Sequence, residues 1–289
     1  MAGADPAPSL GEAERGARGG NNLIKRVISA IVLAPVAVGT AYIGGWSFAL
    51  FWTLAAVAVL WEWITLVAGP GNRLMFLSCA SAIVVAALVD WRGRPIVSFL
   101  LIALGAFAAT IFAPSERRLW IVSGIFYAGV MALAPLLLRV GGDDGFLALM
   151  ALFAIVWTTD VLAYFVGRAV GGPKLCRSIS PNKTWSGAIA GALGAMLVSA
   201  GGAHLVGGAF KPEALGLIGF LLSAVAQLGD LLESWIKRQF GAKDASHLIP
   251  GHGGVMDRLD GFWAAALVGC VIGVLRGGFE GAAHGLLLW

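Results

Sequence analysis

Residues Ala214–Arg276 read ALGLIGFLLSAVAQLGDLLESWIKRQFGAKDASHLIPGHGGVMDRLDGFWAAALVGCVIGVLR. Two apolar runs, 214–238 and 261–276, flank a segment crowded with charge. Each run suits a membrane-crossing helix. Between them, from Asp230 to Gly261, lie one Glu, four Lys or Arg, two His and a Gly-Gly pair, with Asp230, Asp257 and Asp260 hard against membrane-like sequence. Asp230, Glu233, Ser234, Lys237 and Arg238 follow one another at i, i+3, i+4, i+7 and i+8, which puts them on one face of one helix. Acids and bases at this density beside lipid point to a site rather than a surface.

The whole chain has the same character. Of its 289 residues, 58% are hydrophobic and 12% charged, where a soluble domain carries about 25% charged. The expected fold is therefore an all-α polytopic membrane protein of about nine transmembrane helices. The spans fall at roughly 27–43, 46–68, 74–90, 95–113, 119–139, 145–167, 186–207, 214–238 and 261–276. Glycine, proline and charge punctuate the connections. Residues 1–22 lack large apolar side chains almost entirely and read as a disordered cytosolic tail. Residues 23–144 then form N-terminal membrane helices, and 145–289 a catalytic membrane region with cytosolic loops. The tail 277–289 is too short to cross again and is expected along the interface. With the N-terminus inside, fifteen of the twenty Lys and Arg fall in inner loops, as the positive-inside rule requires. Loops 168–184 and 237–260 then share the cytosolic side. The net charge of +4 is spread over short loops and suggests no nucleic-acid partner. Cys79, Cys176 and Cys270 have neither disulfide nor zinc spacing.

The central residues suggest a chemistry. Clustered carboxylates without a His or Cys ligand set favour a hard cation, Mg²⁺ above all. Lys237, Arg238, Lys243 and Arg258 could neutralise phosphate oxygens, or serve as ordinary inner-loop positive charges. Gly251, Gly253 and Gly254 let backbone N–H groups approach a phosphate. His252, between glycines, suits a ligand-facing loop, or a hydrogen bond to backbone. Asp230 reads as a metal ligand or as a structural acid paired within its helix. Asp257 and Asp260 could ligate metal or cap the ninth span. Together these residues reach phosphoryl or nucleotidyl transfer at a membrane surface.

A second constellation runs from Thr158 to Gly187. Asp160, Tyr164 and Gly167 share a helical face, which aims Asp160 into the bundle. Ser180-Pro181-Asn182-Lys183-Thr184 then precedes the next span. Ser180 could cap a helix begun at Pro181, and Lys183 near that start could meet a phosphate. Glu62, between Trp61 and Trp63, fits an interfacial acid among aromatic anchors and needs no function.

The run S-W-I-K-R-x4-K-D-x-S-x2-I-P-G-H-G-G-V-M-D-R-L-D, Ser234 to Asp260, resembles the signature of the phosphatidate cytidylyltransferase (CDP-diacylglycerol synthase) family. The stretch at Ser180–Thr184 resembles that family's S-P-x-K-T, with Asn182 where Lys is common. The resemblance implies a bacterial cytoplasmic-membrane enzyme that faces the cytosol and acts as a homodimer. Its implied substrates are CTP and phosphatidic acid, its products CDP-diacylglycerol and pyrophosphate. It implies a metal centre of Asp230, Asp257 and Asp260, with Mg²⁺ and room for a second metal ion. Lys237 and Arg238 join the Asp residues in catalysis. Substrate contacts fall to Ser180, Lys183, Lys243, His252, Arg258 and Asp160. The CDP-alcohol phosphotransferase pattern DG-x2-AR-x8-G-x3-D-x3-D is absent. An ion-coupled transporter would spread its charges across the bilayer rather than along one face.

Overall fold

Ten helices and one small hairpin make up the computed structural model, which describes residues 32–246, 248, 249 and 253–289. Helix α1 runs through Val32–Ile43. It is followed by α2 (Gly45–Ala68), α3 (Arg73–Trp91), α4 (Pro95–Phe112), α5 (Arg118–Arg139) and α6 (Asp143–Val170). A two-stranded antiparallel hairpin, β1 (Lys174–Cys176) and β2 (Ser180–Thr184), leads into α7 (Trp185–Val206). Then come α8 (Pro212–Gln239), α9 (Met256–Gly277) and α10 (Ala282–Leu287). Among the described residues eight helices are long and apolar enough to cross a membrane. The chain is an all-α polytopic membrane protein. Residues 27–31 of the expected first span, the tail 1–22 and His252 lie outside the described residues.

Two groups of helices share α9. Helices α2 to α5 pack on one another, α6 to α8 do the same, and α9 contacts α8, α5 and α2. Aromatic packing fixes α9 against the first group. Phe262 stacks on Trp52 at 4.8 Å between centroids, Trp263 stacks on Tyr127 at 4.3 Å, and the Trp263 indole N–H donates to the Tyr127 carbonyl at 2.8 Å. Such pairs add about 0.5–1.5 kcal/mol beyond burial. In the second group, small residues set the spacing, as is usual where lipid supplies no hydrophobic drive between helices. A Cβ at Gly187 would meet the Ala163 carbonyl at 2.5 Å, and one at Gly191 the Thr159 carbonyl at 2.9 Å. The hydroxyls of Thr159 and Ser223 share a buried 2.7 Å hydrogen bond that joins α6 to α8.

Three local expectations are corrected. Ser180–Thr184 is a strand, and α7 begins after it with Thr184 as the cap, accepting from Gly187 N at 3.3 Å. Helix α9 starts at Met256, five residues before the apolar run, so Asp257 and Asp260 belong to its first turns. The C-terminal tail does not lie along the interface: α10 folds back into the bundle, with Ala282, Ala283, Leu286 and Leu287 buried.

Candidate active site

Helices α8 and α9 cross where neither has a side chain. A Cβ at Gly229 would stand 2.5 Å from Ala264 Cβ and 2.7 Å from the Asp260 carbonyl, and one at Gly261 would be 3.3 Å from the Ala226 carbonyl. This close approach brings Asp230, next to Gly229, up to Asp260, next to Gly261. Asp260 is repelled by Asp230 and Asp160 and relieved by Lys183. Asp160, from α6, interacts in turn with Asp230, Lys183 and Arg258. Three acids from three helices thus share one field.

A cleft of about 630 Å³ opens beside them. Its walls come from α6 (Asp160, Tyr164, Arg168), the hairpin (Lys174, Asn182, Lys183), the start of α7 (Thr184, Ala188) and α8 (Gln227, Asp230). The Lys183 ammonium rests on the Asp230 carboxylate, which Ser234 also contacts at 3.4 Å. Gln227 donates to the Ala188 carbonyl at 3.2 Å, holding α8 to α7 at the cleft floor. Arg168 donates to the Tyr164 hydroxyl at 3.1 Å on the opposite wall. Acids on one side and Lys183, Lys174 and Arg168 around them suit a cation together with a polyanion. A separate cavity of about 290 Å³ between α6, α7, α8 and α10 is lined almost wholly by apolar side chains and holds none of these charges.

The signature loop is organised by a different set of contacts. Lys237 is buried with its ammonium 2.5 Å from Asp257 Oδ1 and 2.6 Å from Glu233 Oε2. The Glu233 contact is an ion pair between residues four apart on α8. Asp257 Oδ2 accepts from Ala245 N at 2.9 Å and Gly254 N at 2.7 Å. One ammonium thus offsets charge on two buried carboxylates, which lowers the cost of burying them, and the loop is pinned to the first turn of α9. Gly253 has φ +85°, and a Cβ there would meet Asp257 Oδ2 at 2.7 Å.

The structure therefore sorts the residues expected from sequence. Asp160, Lys183 and Asp230 line one cleft, with Asp260 and Arg258 in their field. Asp257 and Lys237 are committed to each other and to the loop. The Gly254 N–H, expected to face a phosphate, is spent on Asp257. Arg238 is exposed and donates to the Ala242 carbonyl at 3.1 Å, closing the end of α8. Lys243 is exposed on the loop, and Ser180 is on β2 outside the cleft lining. Among the described residues no three His, Cys, Asp or Glu side chains stand together as a ready-made metal cage. Mg²⁺ does not need one: it takes one or two carboxylates and completes its shell with water and substrate phosphate. Asp230 and Asp260 fit that pattern, since their hard oxygens carry excess negative charge that a lysine ammonium already partly balances. Asp257 is held more fully, by the Lys237 ammonium on Oδ1 and two backbone N–H groups on Oδ2.

Sequence reasoning missed Arg168, Lys174, Asn182 and Gln227 as cleft residues and favoured an interfacial acid over a site role for Glu62. That side chain is fully buried. It accepts from Ser246 Oγ at 2.6 Å, Val255 N at 2.8 Å and Met256 N at 2.7 Å. The available signal was an acid within an apolar run that contained no cation.

The chain is similar to known proteins over most of its length. The sequence model of the cytidylyltransferase family matches residues 24–275. A phosphatidate cytidylyltransferase of Brucella abortus biovar 1 (strain 9-941) is 42% identical over 259 residues, covering 88% of this chain and 94% of its own. One from Staphylococcus haemolyticus (strain JCSC1435) is 32% identical over 250 residues, covering 82% of this chain and 94% of its own. One from Haemophilus influenzae (strain ATCC 51907 / DSM 11121 / KW20 / Rd) is 40% identical over 145 residues, about half of each chain.

Proposed function

The chain belongs to the cytidylyltransferase family, and on that premise we propose that it transfers the cytidylyl group of CTP to phosphatidic acid, giving CDP-diacylglycerol and pyrophosphate. One observation carries the reading: Asp160, Asp230 and Lys183 line a charged cleft between α6, the hairpin, α7 and α8, within the electrostatic reach of Asp260. A phosphomonoester oxygen of phosphatidic acid attacks the α-phosphorus of CTP. The new P–O bond forms as the bond to the β-phosphate oxygen breaks, and the electron pair leaves with pyrophosphate. The attacking group has a second pKa near ~6 and is mostly dianionic at neutral pH, so no protein base has to deprotonate it.

The residues then divide the work. Lys183, Lys174 and Arg168 hold the phosphates and offset the charge that develops on the leaving group. Asp230 and Asp260 would hold Mg²⁺, with Asp160 beside them. When bound, a divalent ion draws the triphosphate and lipid phosphate together and neutralises their repulsion. Lys237 and Asp257 keep the loop and the first turn of α9 in register. Arg258, Lys243, Arg238 and Ser180, together with His252 from outside the described residues, remain candidates for phosphate or lipid contacts. The catalytic region is 145–289, in a bacterial cytoplasmic membrane with the cleft facing the cytosol, and the chain works as a homodimer.

Purified protein in lipid nanodiscs tests the reading. Pyrophosphate release should require both CTP and phosphatidic acid, and ATP should not replace CTP. Release of CMP from CDP-diacylglycerol plus an alcohol would instead indicate a CDP-alcohol phosphotransferase. Ion flux without pyrophosphate would indicate a transporter.

A further inference from the structure

We infer that Glu62, on α2, is a positioning residue for the reaction: it caps helix α9 from a distance and thereby sets where Asp257 and Asp260 stand. The first N–H groups of any helix lack intrahelical partners. Helix α9 has no side-chain cap of its own, and its N-cap position is Val255, which has no polar side chain. The missing acceptor comes from α2. Glu62 Oε1 accepts from Val255 N and from the Ser246 hydroxyl, and Oε2 accepts from Met256 N. These partners lie 184 to 194 residues further along the chain. A carboxylate at this end of a helix is also favoured by the helix dipole. The three donors and the dipole together account for an acid held at 0% exposure.

The same contact explains a glycine of the signature. A Cβ on Gly254 would stand 2.6 Å from Glu62 Oε1 and 2.8 Å from its carboxyl carbon and other oxygen. Three hydrogen bonds pin that carboxylate, so it cannot easily yield. Gly254 N in turn donates to Asp257 Oδ2, and Lys237 holds the other oxygen of that carboxylate, Oδ1. One continuous set of contacts therefore runs from α2 through residues 254–256 to Asp257, and one turn further to Asp260. Displacement of Glu62 moves the start of α9, and with it the carboxylates, relative to the α6–hairpin–α7 wall that carries Lys183.

This inference rests on the proposed cytidylyl transfer for its kinetic consequences, though not for its structural ones. Two variants test it, Glu62→Gln and Gly254→Ala, each as the full chain in nanodiscs. Gln keeps the size but sets an N–H₂ against a backbone N–H donor. The Gly254 variant leaves the acid in place and pushes it aside. Each should lower kcat by on the order of 10²-fold, the scale of a roughly 1 Å misplacement. The KM for CTP should change by less than about threefold, since the cleft walls are untouched. Hydrogen exchange at 254–260 should speed up in both variants while α5 and α7 stay protected. Glu62→Asp, which keeps the charge on a shorter arm, should recover part of the loss. A kcat within about twofold of the parent in either variant, or exchange that rises equally across the bundle, would overturn the inference. If the parent shows no turnover of CTP with phosphatidic acid, the functional reading fails. The exchange pattern alone then decides whether Glu62 caps α9.

Discussion

Replacement of Gly229 by alanine should uncouple the fold from the chemistry. The added Cβ would sit 2.5 Å from Ala264 Cβ and 2.7 Å from the Asp260 carbonyl oxygen. Carbon–carbon contacts settle at about 3.5–4.0 Å, so α8 and α9 must part locally by roughly 1 Å. Overpacking of this kind costs about 1–3 kcal/mol, which the rest of the bundle can absorb without unfolding. The catalytic loss should be larger than the stability loss. Asp230 and Asp260 flank the crossing, and a 1 Å misplacement of reacting groups is worth on the order of 10²-fold in rate. Gly201→Ala is the control: the position is helical, and nothing lies within 4 Å of a Cβ there. The assay is pyrophosphate release at saturating CTP and phosphatidic acid, with thermal unfolding followed on the same samples. Gly229→Ala with parental kcat and a lowered Tm would refute the claim that the crossing sets the carboxylate geometry.

The carboxylates should separate by role. Asp230→Asn and Asp260→Asn should each lower kcat by on the order of 10²-fold or more and raise the Mg²⁺ concentration needed for half activity, whereas Asp257→Asn should lower kcat with that requirement unchanged. An identical Mg²⁺ response in all three would place Asp257 in the metal site. Lys237→Met should strand Glu233 and Asp257 as buried, unbalanced charges and cost about 3–5 kcal/mol, read as a lowered Tm; unchanged stability would mean that the ammonium normally faces a ligand. A reporter inserted at Gly172 should read out as cytosolic and one fused after Trp289 as non-cytosolic, and the reverse pattern would invert the proposed orientation.

The membrane helices were legible because each is a long apolar run, and the signature face of α8 because its charges fall at helical spacing. Asp160 and Asp230 stand out as candidate site residues for a related reason: each is a charge that an apolar helix must account for. Other features were hidden by their partners' distance in sequence. Nothing near Glu62 announces that its three donors lie beyond residue 245. Lys237 read as a phosphate ligand because a motif shows charges without showing which of them neutralise one another; Glu233 and Asp257 surround it in space. The start of α9 was placed late because Asp257, Arg258 and Asp260 look like loop, yet acids suit a first helical turn. The hairpin is hidden in the sequence because β1 is only three residues long and β2, Ser-Pro-Asn-Lys-Thr, has no alternation of apolar and polar residues.

In the proposed reaction the cleft between α6, the hairpin, α7 and α8 joins the α-phosphorus of CTP to a lipid phosphate. CTP labelled at its α-phosphorus, incubated with nanodisc-embedded protein, Mg²⁺ and phosphatidic acid, tests it most directly. The label should move into the chloroform-soluble fraction as CDP-diacylglycerol, one for each pyrophosphate released, and Asp230→Asn should abolish the transfer. Label that stays in water while pyrophosphate accumulates would contradict it, as would transfer that Asp230→Asn leaves intact.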